Sequence, residues 1–346
     1  MKINILTLTG NDNFGNKLQH FALQKELQKL NNEVSSTFFY YSNKNLSIIK
    51  NFIKKFINKR YANFLKFDKK INYSKNYFNN NKMVIREDFD FYIVGSDQVW
   101  NPNFPYFNNY YLLENIDNNK RISYAASFGV NELPEKNKKI FQEELKKFKM
   151  ISVREDRGKE IVENLTGRND VEVVLDPTML LCSKEWEELA IKPKNMINRR
   201  YILNYFLGKM SESRKKEIER IATENDCTII NILDPNDPFY ESGPSEFLYL
   251  EKNAFLICTD SFHSSVFAFL FNRPFVVFER DDSNEKMNSR LDTLINKFNL
   301  KNRRHNEQNI TKENLQHDYD ESYKILENER DKSEKFLKKA LGIEDD

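Results

Sequence analysis

At 346 residues, 39% of them hydrophobic and including 28 Phe and 16 Tyr, the chain has material for two domains of ordinary size and is not globally disordered. Its 54 basic and 52 acidic residues leave a net charge of +2, which argues against a general nucleic-acid binder. Cys182, Cys227 and Cys258 are too widely spaced for a zinc motif or a disulfide framework and suit a reducing cytoplasm, no apolar run has the length of a membrane span, and Met1-Lys2 leads straight into INILTL without the h-region of a signal peptide.

Residues 3–8 read as a first strand and TGNDNFGN (9–16) as a polar turn carrying Gly10 and Gly15. A helix follows from about Asn16 to Leu30, its stripe of Leu18, Phe21, Ala22, Leu27 and Leu30 broken by Lys25. The unit has the outline of a phosphate cradle, yet it lacks both G-x-G-x-x-G and G-K-[ST], and a βα turn that needs glycine explains it equally well. VSSTFFYY (34–41) supplies a second strand. Between Asn43 and Met83, cations such as Lys50, Lys54, Lys55, Lys59, Arg60 and Lys82 interleave with Ile, Phe and Tyr. That pattern predicts one or two amphipathic basic helices rather than a sheet element. They would form a flap over the first domain that faces an anionic membrane surface, holds a pyrophosphate-linked acceptor or, in the plainer alternative, faces solvent.

In FDFYIVGSDQVWNP (89–102) the strand 91–94 ends at Gly95, placing Ser96, Asp97 and Gln98 at its carboxyl end, and KRISYAASFG (120–129) repeats the arrangement with Ser127 and Gly129. Residues 134–150 form an amphipathic helix, and ISVREDRGKEIVENL (151–165) a short strand entering a helix. Arg154 at that junction is a candidate anion clamp, because guanidinium grips a carboxylate or phosphate bidentately; the alternative is a salt bridge to a neighbouring acid. VEVVLDPTMLL (171–181) is the last strand of the first half, broken at Asp176-Pro177, and KPKNMINRR (192–200) is a linker. Strand and helix then alternate again: 201–207, 211–225, 227–233 and 243–253, with helices at 287–300 and from about Glu321 to Leu341.

AFLICTDSFHSSVFAFLFNRPFVVFER (254–280) reads as a buried strand, a polar turn at Thr259-Asp260-Ser261, a helix apolar nearly all round, and a second strand. His263 falls in the first turn of that helix, at the carboxyl end of a strand, where open α/β sheets bind ligands. It is placed either to act as acid or base on a bound anion or simply to hydrogen-bond in the core. The alternation throughout predicts two doubly wound, Rossmann-like α/β domains facing a cleft.

NFGNKLQHFALQKELQKLN, FDFYIVGSDQVWNP, YAASFG, ISVRE, VLDPTMLL, TDSFHSSVFAFLFNRPFVVF and NSRLDTLINKF, in this order over about residues 3 to 300, resemble the polysaccharide pyruvyl transferases. Ser264 departs from the SFHG that family members often carry, which leaves the backbone after His263 less open to a ligand. The resemblance implies a fold similar to glycosyltransferase-B, with an N-terminal acceptor-side domain (1–180, basic insertion at about 43–83), a C-terminal donor-side domain (200–300) and a C-terminal tail and helix (301–346). It implies transfer of a pyruvyl group from phosphoenolpyruvate to a sugar of a cell-surface polysaccharide precursor as a ketal, without cofactor or metal. The expected partners are phosphoenolpyruvate and a saccharide acceptor, with a polyprenyl-linked one among the options, and the expected location is cytoplasmic with peripheral contact at the inner membrane face.

Such chemistry needs a proton donor, a base and cations for a carboxylate and a phosphate. His263 is the expected acid or base and Asp97 the group that orients or deprotonates an acceptor hydroxyl. Arg290 and Arg154 are the expected donor clamps, with Asn16, Gln98, Ser127 and Ser261 as hydrogen-bonding groups. Two alternatives stand beside this reading: a glycosyltransferase of the same architecture using a nucleotide sugar, and a non-catalytic glycan-binding relative.

Overall fold

The computed structural model describes residues 1–10, 12–39, 58–79, 82–104, 107–196, 198–280, 289–305 and 310–343. The chain divides into two units: Met1–Ile57, Asp68–Leu180 and Asn328–Asp346 form the first, and Asn58–Phe67 with Leu181–Glu327 the second.

Strand β1 (Lys2–Leu6) sets the pattern of the first unit. Ile3 and Ile5 point into one apolar cluster and Leu6 into another, so both faces of the strand are covered, as a parallel strand requires. Helix α1 (Phe14–Lys29) leads to β2 (Glu33–Phe39), then α2 (Lys59–Asp68), β3 (Tyr73–Asn79), β4 (Lys82–Val84), β5 (Phe91–Val94) and β6 (Arg121–Ala126). Helix α3 (Glu135–Leu145), β7 (Met150–Val153), α4 (Asp156–Thr166) and β8 (Glu172–Val173) follow. The sheet order is β4-β3-β2-β1-β5-β6-β7-β8, parallel except for the β3/β4 pair. Leu23 and Leu27 of α1 cover one face, while Phe141, Leu145, Ile161 and Val162 of α3 and α4 cover the other, around Trp100 and Phe128. Helix α4 stops at Gly167, whose φ of 74° is the left-handed cap that glycine adopts without strain.

The second unit holds α5 (Ser183–Glu187), β9 (Tyr201–Tyr205), α6 (Glu212–Glu224), β10 (Thr228–Asn231), α7 (Pro244–Asn253), β11 (Leu256–Thr259), α8 (Phe262–Leu270), β12 (Phe275–Val277), α9 (Ser289–Lys297) and α10 (Lys312–Leu315). Its sheet, β10-β9-β11-β12, is parallel throughout. Ile218, Ile221 and Ala222 of α6 pack with Ile202, Leu256, Cys258 and Val276. Tyr201 donates its hydroxyl to Leu250 O at 2.9 Å, and the Tyr205 ring lies 5.5 Å from Phe247, which ties the sheet to α7. Every residue of α8 is buried. This is why its sequence is apolar all round: Phe267 meets Trp186 and Phe247, and Phe269 meets Phe298 and Tyr323.

The basic segment departs from expectation. Residues 40–57 and 80–81, with Lys50, Lys54 and Lys55, lie outside the described residues. Residues 73–79 and 82–84 are strands that extend the first sheet, not helix. The helix α2 belongs to the second unit up to Phe67, not to the first domain. Arg60 turns inward, only 6% exposed, donating to Tyr240 O at 2.8 Å with its guanidinium 5.1 Å from the Tyr240 ring centre. It is a packing residue and not part of a cationic face. The helix expected from about Glu321 to Leu341 is α11 (Asp320–Leu341), and it carries Phe336, Leu337, Ala340 and Leu341 into the core of the first unit.

Replacing Arg60 by Ala takes the donor from the part-buried Tyr240 carbonyl and opens the contact with the Tyr240 ring. A loss of about 1–3 kcal/mol in urea denaturation is expected. An unchanged midpoint would show that Arg60 carries no structural weight.

Candidate active site

In each unit, polar side chains gather where the parallel strands end. In the first unit β5 runs into Gly95, with a φ of +118° and so close to Tyr124 O that a Cβ would lie 2.1 Å from it. No residue with a side chain fits there, and Ser96 and Asp97 are set down directly beneath the end of β6. Arg154, just after β7, donates to Asp176 Oδ2 at 2.6 Å and to Asp97 Oδ1 at 3.1 Å, with all three side chains at most 5% exposed. Asp176 also accepts from Ser96 Oγ at 3.0 Å, and from Thr178 N at 3.0 Å and Thr178 Oγ1 at 2.6 Å. Burial works against the Arg154 charge, but Asp176 and Asp97 outweigh it and raise its pKa, so the guanidinium stays ionised.

This geometry corrects two expectations. Arg154 is not a clamp open to a substrate anion, because its guanidinium is bound to two internal carboxylates. Asp97, 3% exposed and held by Arg154, is not presented as a base. Ser127, fully buried, donates to Glu155 Oε1 at 2.9 Å, and Phe128 N donates to the same oxygen at 3.0 Å, so Ser127 braces the β6 end rather than lining a site. Gln98 is half-buried and accepts from Asn101 Nδ2 at 2.7 Å, packed over Gly129. Asn16 is half-buried in the first turn of α1, where Asn13 Oδ1 caps its amide at 3.1 Å; its own carboxamide makes no hydrogen bond among the described residues. Nearby, Gln19 Nε2 donates to Thr7 Oγ1 at 2.9 Å, and Thr7 to Ser96 O at 3.1 Å, linking α1 to the β5 turn.

In the second unit β11 ends at Thr259, whose hydroxyl donates to Tyr205 O at 2.7 Å. Asp260 accepts from Leu207 N at 2.7 Å and Gly208 N at 2.8 Å and meets Arg280 Nε at 3.3 Å, fixing the loop after β9. Ser261 stands at the cap position of α8, yet its hydroxyl makes no hydrogen bond among the described residues, while its carbonyl accepts from Ser265 Oγ at 2.9 Å. His263 is 7% exposed in the first turn of α8, its ring edge-on to Phe262 at 5.2 Å. Arg290 is 8% exposed in the first turn of α9. Thus Asp97 and Arg154 are joined directly in the first unit, and His263, Ser261 and Arg290 all sit in the second.

The other histidines have settled partners. His20 is buried with Nε2 2.6 Å from Ser36 Oγ, and burial lowers its pKa to about 3, so it is neutral. His305 meets Glu217 at 3.0 Å and stacks on Phe278. His317 is half-buried, and burial lowers its pKa as well. His263 alone occupies a helix start at the carboxyl end of a parallel strand.

Sequence reasoning missed Asp176, treated only as a strand breaker, although Asp-Pro-Thr is an Asx-turn signature. It also missed Glu251. That residue is fully buried in α7, and its Oε1 accepts from Ser264 Oγ at 2.6 Å. Burial pushes the Glu251 carboxyl well above its usual range, with the Ser264 bond pulling the other way. Ser264 therefore has a use: it gives the buried Glu251 carboxyl a donor under the first turn of α8.

The fold is of the glycosyltransferase-B kind, two Rossmann-like, mainly parallel sheets in one chain. UDP-GlcNAc 2-epimerase from Methanocaldococcus jannaschii matches with a TM-score of 0.53 at 16% identity, covering 94% of this chain and 92% of that one. The Neisseria meningitidis UDP-GlcNAc 2-epimerase matches with a TM-score of 0.51 at 12% identity, covering 99% of this chain and 96% of that one. At such identities the likeness concerns the fold alone. No curated protein sequence matches the chain closely enough to count as a relative. The family model for polysaccharide pyruvyl transferase matches residues 13–282, a stretch that contains the Asp97, Arg154 and Asp176 cluster as well as His263, and the chain belongs to that family. It is accordingly a transferase of polysaccharide synthesis. Among the described residues no helix is long and apolar enough to cross a membrane.

Arg154→Ala strands two buried carboxylates, and an expected cost of about 3–5 kcal/mol in thermal or urea unfolding follows. A variant within about 1 kcal/mol of wild type would mean that the carboxylates find other relief.

Glu251 gives a pH signature. A carboxyl whose folded pKa is raised stabilises most below its unfolded value of about 4.3, and that contribution is lost as pH climbs toward the folded pKa. Glu251→Gln should therefore gain stability over wild type progressively from pH 4 to pH 8, in denaturant titrations at a series of pH values. A difference that does not change with pH would contradict a neutral Glu251.

Proposed function

We propose that the chain transfers a pyruvyl group from phosphoenolpyruvate to two hydroxyls of one sugar in a polysaccharide precursor, forming a ketal. The observation that carries this reading is the family match over 13–282 together with the position of His263, in the first turn of α8 at the carboxyl end of β11.

The atoms define the roles. One hydroxyl adds to C2 of the donor as C3 takes a proton and becomes a methyl group. The C2–O bond to phosphate breaks, and the second hydroxyl closes the ketal. Of the two hydroxyl protons lost, the balance leaves one in the methyl group and one with phosphate or solvent. His263 is the acid that protonates C3, since an imidazole can carry a proton and hand it to a bound substrate. Arg290, at the start of α9, holds the donor's carboxylate or phosphate through charge-assisted bonds, joined by the Ser261 hydroxyl. Asn16 and Gln98 serve the sugar in the first unit, where Asp97 acts through the Arg154 network that shapes the β5 turn and not as a base. Cations of the chain meet the donor's charge, and no cofactor is invoked.

Phosphate release from phosphoenolpyruvate, followed with mass detection of the pyruvylated glycan over an acceptor panel, tests the reaction. Nucleoside diphosphate release from a nucleotide sugar would instead indicate glycosyl transfer. His263→Ala should lower turnover by about 100-fold or more, the scale of general acid catalysis, with the fold retained. Near-wild-type turnover in the folded variant would remove His263 from the chemistry. Arg290→Ala should weaken donor binding, and Arg290→Lys should restore it only in part, because the fork is lost.

A further inference from the structure

A helix start is commonly fixed by the side chain of its cap residue, which accepts from a backbone N–H two or three residues on. The first turn of α8 is not held in that way. Ser261 stands at the cap position with extended backbone, yet its hydroxyl makes no capping bond among the described residues, and the turn has no acidic side chain. Ser265 bonds back along its own helix, to Ser261 O at 2.9 Å. Of the three serine hydroxyls at this end of α8, that of Ser264 crosses to another helix, donating to Glu251 Oε1 of α7 at 2.6 Å.

The far end of this bond is itself anchored. Tyr201 of β9 donates to the carbonyl of Leu250, the residue before Glu251, at 2.9 Å, and Phe247 one turn earlier packs against Tyr205 and Phe267. Glu251 and Ser264 are both fully buried. A buried polar pair of this kind adds little net stability, because apolar groups of the same shape in place of both partners are nearly neutral or stabilising. What it adds is direction. The bond forms in only one placement of the turn against α7, and a satisfied buried pair rigidifies what it joins. Phe267 and Phe269 fix the later turns of α8 by packing on Phe247 and Phe298, and the Ser264 bond fixes the first, where His263 is the preceding residue.

We infer that Glu251 is a positioning residue for His263: through Ser264 it holds the first turn of α8 to α7 and so sets where the imidazole stands. The consequence for turnover rests on the acid role proposed for His263, whereas the placement itself is read without substrate. In the full-length protein, NMR would follow the ring signals of the four histidines, and hydrogen exchange the amides of α8, for wild type, Ser264→Ala, Glu251→Gln and the double variant Glu251→Leu/Ser264→Ala. Ser264→Ala and the double variant should move the His263 ring signals and leave those of His20, His305 and His317 in place. Exchange in the first turn of α8 should quicken by up to about tenfold, the worth of one hydrogen bond. Glu251→Gln keeps an acceptor oxygen for Ser264 and should hold the His263 signals close to wild type. The double variant removes both polar partners together, so it keeps its stability and decides the matter should Ser264→Ala fail to fold. With phosphoenolpyruvate and a competent acceptor, its turnover should fall by about 10- to 100-fold with the donor KM little changed, as for a misplaced catalytic group. His263 signals unmoved in the folded double variant, or signals displaced equally at all four histidines, would overturn the inference. Displacement at His263 alone with turnover undiminished would support the placement and count against the acid role, so the two readings fail separately.

Discussion

The ion cluster of Arg154 with Asp97 and Asp176 is the constraint on which the first unit depends. It joins the ends of three strand segments, β5, β7 and the stretch after β8, through one guanidinium. Charges this deeply buried are costly to desolvate, and they persist only when every partner is in place. Ser96 and Thr178 complete the shell around Asp176, while Thr7 and Gln19 relay it to α1. The cluster therefore sets the shape of the β5 turn, and with it the positions of Gln98 and of the helix start that carries Asn16.

The second unit solves a similar problem with different means. Asp260 takes two backbone N–H groups of the loop after β9, and Ser264 donates to the buried Glu251 carboxyl beneath α8. Both fix the segment between β11 and α8, so His263 emerges from a turn braced on either side in sequence. A helix built almost wholly of buried aromatic and aliphatic residues adds rigidity, because its packing leaves no alternative rotation. The acid role proposed for His263 would require such a mounting.

Much of this was legible in the sequence. The apolar runs FYIV and LICT are strands of the expected kind, and the α8 helix starts within a residue of its reading, because short runs bounded by polar turns leave little freedom. What escaped was pairing over distance. Arg154 looked like a substrate clamp because the sequence displays a guanidinium at a strand end but not the carboxylates 57 and 22 residues away that claim it. The basic segment misled for a related reason. Lysines dominate its composition, whereas the structural information lies in Tyr73 and Tyr77 of β3 and in an Arg60 that folds inward onto Tyr240. Likewise, the charged helix read from about Glu321 to Leu341 gave no sign that its second half packs into the core of the first unit.

Ketal formation leaves an isotopic record in the sugar-linked product. With phosphoenolpyruvate and a competent saccharide acceptor in heavy water, protonation at C3 should place one deuteron in the methyl group of the pyruvylated product, with one phosphate released per ketal. A product that keeps the CH₂ of an enol ether, or phosphate released with no carbon transferred to the sugar, would contradict pyruvyl transfer by this protein.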